Sequence, residues 1–173
     1  MAFPGLRRPQ ENMTLIARLL TPENVLLDLD VGSKKRVFEQ AGLLFENHQN
    51  IARGQVFDSL FAREKLGSTA LGQGIAIPHG RIKGLREAVG ALIHTHEPIP
   101  FDAPDGKPVN LIFVLLVPER ATDLHLQILS EVVQMFSDRV FRDRLLACTR
   151  ADTAHQLITQ WRTDAESQRS AAV

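Results

Sequence analysis

The chain has 173 residues, and its 20 Lys+Arg against 20 Asp+Glu leave a formal net charge of zero. That balance speaks against a nucleic-acid binder, which carries a basic excess to neutralise phosphates. With 44% hydrophobic residues the chain is no disordered polymer, and its length suits one domain with a real core.

Residues 1–13 read as a flexible N-terminal extension. A secretory signal needs an apolar stretch after its basic start, but MAFPGLRRPQ is followed by polar Glu11 and Asn12. The domain is expected over 14–162, with 163–173 a disordered tail. Thr14 to Leu20 is a short amphipathic piece stopped by Thr21-Pro22, and Val25 to Leu29 is a candidate strand. Ser33 suits a helix cap, followed by Val37, Ala41, Leu44 and Phe45 at helical spacing. A second helix is predicted over 53–65, with Val56, Leu60 and Phe61 inward. The Gly-rich stretch 67–74 leads into a short strand, Ile75-Ala76-Ile77, ended by Pro78.

Ala88 to Thr95 alternates as a strand, and Asp105-Gly106 signals a turn. Val109 to Val117 is nearly all apolar, which predicts a central strand covered on both faces. Thr122 or Asp123 is expected to cap a helix carrying Ile128, Leu129, Val132, Val133 and Phe136. Two more helical pieces follow, at about 138–148 and 151–161. Strands mixed with helices imply a layered α/β fold. The longest apolar run, Leu111 to Val117, is far short of the roughly 20 residues that span a bilayer. With a single cysteine, Cys148, no internal disulfide forms. The expectation is a soluble cytoplasmic protein without membrane insertion.

Most short motifs fail on inspection. Gly67 and Gly72 have phosphate-loop spacing, but Gln73-Gly74 stands where Lys-Ser/Thr is needed. The dinucleotide fingerprint fails as well, and no GxSxG elbow exists. His94 and His96 share one face of a strand, yet zinc needs three or four ligands. They are read as a solvent-facing strand edge, and Cys148 as a small core residue near a helix end. Neither metal nor cofactor is expected.

His79 is presented differently. Pro78 fixes its own backbone and biases Ile77 towards extended geometry. Gly80 allows a backbone or a phosphate to approach. Arg63, Lys65, Arg81 and Lys83 flank the site, and Ser68 and Thr69 offer hydroxyls. A neutral imidazole has a nitrogen free to attack a phosphoryl group, whose charge cations stabilise. His125 shares a helix face with Leu129, Val132 and Phe136 in a first turn that favours anions.

Taken together, Arg63-Glu-Lys-Leu-Gly-Ser-Thr and Gly72-Gln-Gly-Ile-Ala-Ile-Pro-His79-Gly resemble the enzyme IIA domains of the bacterial phosphoenolpyruvate phosphotransferase system, fructose/mannitol branch. Pro98-Ile-Pro-Phe101-Asp, Val109 to Pro118 and His125-Leu-Gln-Ile-Leu-Ser fit too, so the resemblance covers about residues 14–160. Within that branch the chain resembles the nitrogen-related enzyme IIA group, through its stand-alone length, its LTPENVLLDLDVGSKKRVFEQA opening and its LLVP turn. Gln73 stands where related sequences often have Asn.

The resemblance implies a single domain with a mixed β-sheet flanked by helices on both faces. It implies a phosphotransferase whose donor is a histidine phosphocarrier related to HPr. His79 would take the phosphoryl group, at Nε2. Arg63 would pair with its oxygens and His125 would hydrogen-bond ring or phosphate; Ser68, Thr69 and Gly80 are weaker phosphate-binding candidates. The phosphorylation state would then regulate partner proteins, such as a potassium transporter or a sensor kinase. Passing phosphate to an enzyme IIB for sugar uptake, or a binding module that never takes phosphate, are the competing readings. A hydrolase built on His94 and His96 is a more distant one. The neutral total hides a division. Residues 63–86 hold Arg63, Lys65, Arg81, Lys83 and Arg86 against Glu64, a net of +4, and the stretch carries His79. Residues 97–131 carry a net of −4, from six acids against Lys107 and Arg120.

Overall fold

Helix α1 (Leu15–Leu19) starts at Thr14, whose hydroxyl accepts the Ala17 N–H at 3.2 Å. The computed structural model describes residues 14–120 and 122–161, so the predicted extension and tail lie outside the described residues. A 3-10 turn, Pro22–Asn24, feeds strand β1 (Val25–Leu29), as the apolar run predicts. Ser33 caps helix α2 (Lys34–Gln49) by accepting the Arg36 N–H at 3.2 Å. That helix ends at Asn50, whose left-handed backbone (φ 56°) closes the last turn. Helix α3 (Arg53–Glu64) follows at once and packs against it.

The stretch from 67 to 82 holds more strand than its residues suggest. Strand β2 (Ala70–Gly72) pairs antiparallel with β3 (Ile75–Ala76). Between them Gln73 (φ 59°) and Gly74 (φ 79°) both adopt the left-handed backbone of a tight hairpin turn. Asp105 braces the turn by accepting the Gln73 N–H at 3.0 Å. Pro78 interrupts the strand without ending it. Its carbonyl accepts the Leu115 N–H at 2.9 Å, and pairing resumes in β4 (His79–Ile82). Proline lacks only the donor, so the acceptor half of the ladder survives.

Strand β5 (Val89–Ile99) and strand β6 (Val109–Pro118) form the antiparallel centre. The sheet has six strands in the order β1-β5-β6-β3-β2, with β4 continuing beside β6. β1 pairs parallel with β5, and β3 and β4 pair parallel with β6, so the sheet is mixed. Helices α4 (Thr122–Ser137), α5 (Arg139–Leu146) and α6 (Ala151–Gln160) complete the chain. Asp138 caps α5, accepting the N–H groups of Val140 and Phe141.

The alternation of β6 divides the core. Leu111, Phe113, Leu115 and Val117 join a layer with α1, α4, α5 and α6. Ile112, Val114 and Leu116 join a second layer with α2 and α3. All seven are at most 2% exposed, each contributing roughly 1.5–3 kcal/mol by burial. Helices therefore cover both faces, as expected. One detail of α4 differs from the sequence reading. Thr122 and Asp123 both lie inside its first turn. Among its apolar residues Val133 is 40% exposed and Met135 is buried.

Candidate active site

His79 opens β4 opposite Leu115 and so projects from the α4 side of the sheet. Its Nδ1 lies 2.8 Å from the Ile77 carbonyl oxygen. A carbonyl only accepts, so Nδ1 carries the ring proton and the lone pair of the neutral ring is on Nε2. His125, in the first turn of α4, stands edge-on to this ring with centroids 5.2 Å apart and planes at 66°. Its Nε2 is buried and has no hydrogen-bond partner among the described residues. An orphaned polar atom against a histidine bearing a free lone pair marks a place where a polar ligand would be held.

Both imidazoles are held below the ordinary histidine range. For His79 the main cause is burial, with the Arg63 charge adding to it. The Ile77 carbonyl and Glu64 act in the opposite sense. For His125 burial again leads, followed by the charges of His79, Arg81 and Arg63. Both rings are thus neutral near pH 7, and His79 is a nucleophile without prior deprotonation. Arg63 lies in the last turn of α3 and donates from Nη1 to the Gly67 carbonyl at 2.8 Å.

Arg81 belongs to the same site. It lies two residues beyond His79 on one strand, hence on the same face, and donates to the Glu119 carbonyl at 2.8 Å. The sequence reading has it only as a flanking cation. Strand alternation from His79 is the signal that assigns its face, and it becomes visible once β4 is known to be a strand.

The weaker candidates are placed elsewhere. The Ser68 hydroxyl donates to the Phe101 carbonyl at 2.6 Å, and the Thr69 hydroxyl donates to Glu64 Oε2 at 2.7 Å. Each has spent its one proton and neither is left to donate to a phosphate. Gly80 faces the opposite side of the sheet from His79. A Cβ there would stand 2.2 Å from Ser59 Oγ and 3.2 Å from the Ser59 backbone carbon. Its missing side chain admits α3. Replacing Gly80 by alanine is expected to cost about 1–3 kcal/mol through this overpacking. Urea unfolding measures it, and an unchanged midpoint would contradict the packing argument.

His94 and His96 lie on β5, which runs between β1 and β6 and is no sheet edge. His96 Nδ1 meets Asp28 Oδ1 at 2.6 Å, and that carboxylate raises its pKa. Burial lowers that of His94. Among the described residues no group of metal-ligating side chains assembles there or elsewhere. Cys148 follows α5 and is partly buried, packed against the first core layer. Burial raises its thiol pKa, which leaves it a poor nucleophile.

A layered sheet presenting a neutral histidine beside a second imidazole and two arginines suits phosphoryl chemistry. The chain belongs to the family described as "Phosphoenolpyruvate-dependent sugar phosphotransferase system, EIIA 2", whose sequence model matches residues 18–161. It is therefore a phosphotransferase-system IIA domain. Among its relatives is the nitrogen regulatory protein of Pseudomonas aeruginosa strain PAO1. The two are 44% identical over 147 residues, covering 84% of this chain and 96% of that protein. The crystal structure of nitrogen regulatory protein IIA-Ntr from Neisseria meningitidis superposes with a TM-score of 0.80 at 53% identity, covering 84% of this chain and all of that one. The IIA mannitol structure from Escherichia coli shares the fold, with a TM-score of 0.69 at 22% identity over 80% of this chain and 97% of that one. Among the described residues no helix is long and apolar enough to cross a membrane.

Proposed function

We propose that the chain accepts a phosphoryl group on His79 Nε2 from a histidine phosphocarrier protein and regulates partner proteins through its phosphorylation state. The observation that carries this reading is the Nδ1–Ile77 hydrogen bond, which leaves the lone pair on Nε2. In the transfer, that lone pair forms a new N–P bond while the N–P bond of the donor's phosphohistidine breaks. The donor nitrogen keeps the electron pair. The Nδ1 proton of His79 stays on the Ile77 carbonyl side as a hydrogen bond, so charge on the phosphorylated ring is shared with a fixed dipole.

Arg63 and Arg81 supply cationic charge for the equatorial oxygens of the transferring group. The orphaned His125 Nε2, when it carries a proton, donates to one of them. The donor class is supported by the family, whose system depends on phosphoenolpyruvate. The regulatory output is supported by relatives called nitrogen regulatory proteins, at 44% and 53% identity. Partners of the kind expected from the sequence, a potassium transporter or a sensor kinase, would read the added charge on this face. Membership of this family fits a cytoplasmic location, where the phosphocarrier chemistry operates.

The test is labelling with radioactive phosphoenolpyruvate, enzyme I and the carrier. The wild-type chain is expected to take label on a histidine. Arg63→Ala is expected to slow transfer roughly hundredfold, and His125→Ala by about the same factor, with circular dichroism unchanged. Wild-type rates in both variants would remove them from the site.

A further inference from the structure

Beside a histidine that receives a phosphoryl dianion, a buried carboxylate has the wrong sign of charge. Glu64 is such a group. It closes α3 next to Arg63, is 8% exposed, and its charge acts on His79. Repelling an incoming phosphate is a cost that needs a compensating role.

Its hydrogen bonds show the role. Oε1 accepts from Lys34 Nζ at 2.8 Å and from the Thr69 N–H at 3.1 Å, while Oε2 accepts the Thr69 hydroxyl at 2.7 Å. One carboxylate thus grips one residue by both its backbone and its side chain. The Thr69 carbonyl then accepts the Ile77 N–H at 3.0 Å. The other end of Ile77, its carbonyl, accepts Nδ1–H of His79 at 2.8 Å. Lys34 offsets the Glu64 charge from the far side and lies over the Phe101 ring, 4.7 Å from its centroid. The chain of contacts Lys34, Glu64, Thr69, Ile77, His79 is continuous, and every link is a hydrogen bond.

We infer that Glu64 is a positioning residue for His79: through Thr69 and Ile77 it fixes the carbonyl that keeps the ring proton on Nδ1 and Nε2 free. This rests on the reading of His79 as the phosphoryl acceptor. An unconstrained neutral imidazole favours the proton on Nε2, the nitrogen that must attack. A carbonyl held in place reverses that preference, and the partner of one ring nitrogen decides the state of the other. Thr69 has the same function one step along. This accounts for a hydroxyl that faces a carboxylate and not the site.

The test compares the full-length wild type with Glu64→Ala and Thr69→Val. Nitrogen-15 NMR of the histidine rings reads the His79 tautomer in the unphosphorylated protein. Initial rates of phosphoryl acceptance from the phosphorylated carrier are measured in parallel. Wild-type His79 is expected with its proton on Nδ1. In Glu64→Ala the Nε2–H form gains several-fold, and acceptance falls roughly ten- to hundredfold, the loss typical of a misplaced reacting group. Thr69→Val, which keeps the shape and loses the hydroxyl, moves both readouts in the same direction by a smaller factor.

A folded variant that keeps the wild-type tautomer, or accepts phosphate at the wild-type rate, overturns the inference. If Glu64→Ala does not fold, Thr69→Val decides alone. Failure of the wild type to take label would sink the acceptor reading, and the tautomer comparison would still decide whether Glu64 positions the ring.

Discussion

Replacing His79 by alanine is expected to abolish phosphorylation of the chain while leaving its fold intact. The fold survives because the ring is only partly buried, at the start of a four-residue strand whose backbone pairing with β6 needs no side chain. Phosphorylation is lost because His79 joins an Nδ1 held by the Ile77 carbonyl to the charge of Arg63 and the ring of His125. His96 is paired with Asp28, and His155 Nε2 is engaged by the Leu20 carbonyl. Label persisting at wild-type level in His79→Ala would refute the assignment.

The pH profile of the wild type adds a second check. Burial, aided by Arg63, holds the His79 pKa below its usual 6.5. Protonation fills the Nε2 lone pair, so the rate falls as the medium becomes acidic. The fall is expected below pH 6.5, through the depressed value of the folded protein, with a plateau above it. A profile that falls at a higher pH would contradict a buried, neutral acceptor.

Phe113→Ala carries the largest expected effect on stability. Phe113 is fully buried in β6 and meets Phe136 of α4, with ring centroids 6.3 Å apart. It also packs where Gly90 of β5 has no side chain; a Cβ there would stand 3.1 Å from its ring. Truncation removes the ring contact between the central strand and the helix that carries His125. The expected loss is about 3–5 kcal/mol, a large share of the roughly 5–15 kcal/mol that holds a domain of this kind together. Urea unfolding measures it, and a loss below about 1 kcal/mol would show that the cavity collapses without cost.

Much of this architecture is legible in short stretches of sequence. Helix α2 is announced by a serine cap and a helical stripe, and β1 and β6 by apolar runs of strand length. In each case the signal sits within a few neighbouring residues. The family resemblance rests on longer stretches, and the fold and relatives agree with it. His79, His125 and Arg63 come from that resemblance together with the chemistry of the imidazole, and the two rings do meet.

The misreadings share a cause. β2 and β4 are short, each holds a glycine, and Pro78 stands just before β4, so local propensity argues against them. They exist because β3 and β6, further along the chain, supply their partners. Gly80 reads as an opening for a backbone or a phosphate, and it is Ser59 of α3 that stands against it. Ser68 and Thr69 read as phosphate donors until Phe101 and Glu64 take their protons. His94 and His96 read as an edge until β1 pairs beyond them.

The zero net charge shows the same division. Composition and spacing alone determine which residue types are available, which segments can be helix or strand, and that the cations gather around His79. These are properties of neighbours along the chain. Which nitrogen of His79 is free, which arginine shares its face, and why a buried glutamate stands beside His79 depend on side-chain directions and on contacts between distant segments. Only the packing of α3 and α4 against opposite faces of one sheet decides them.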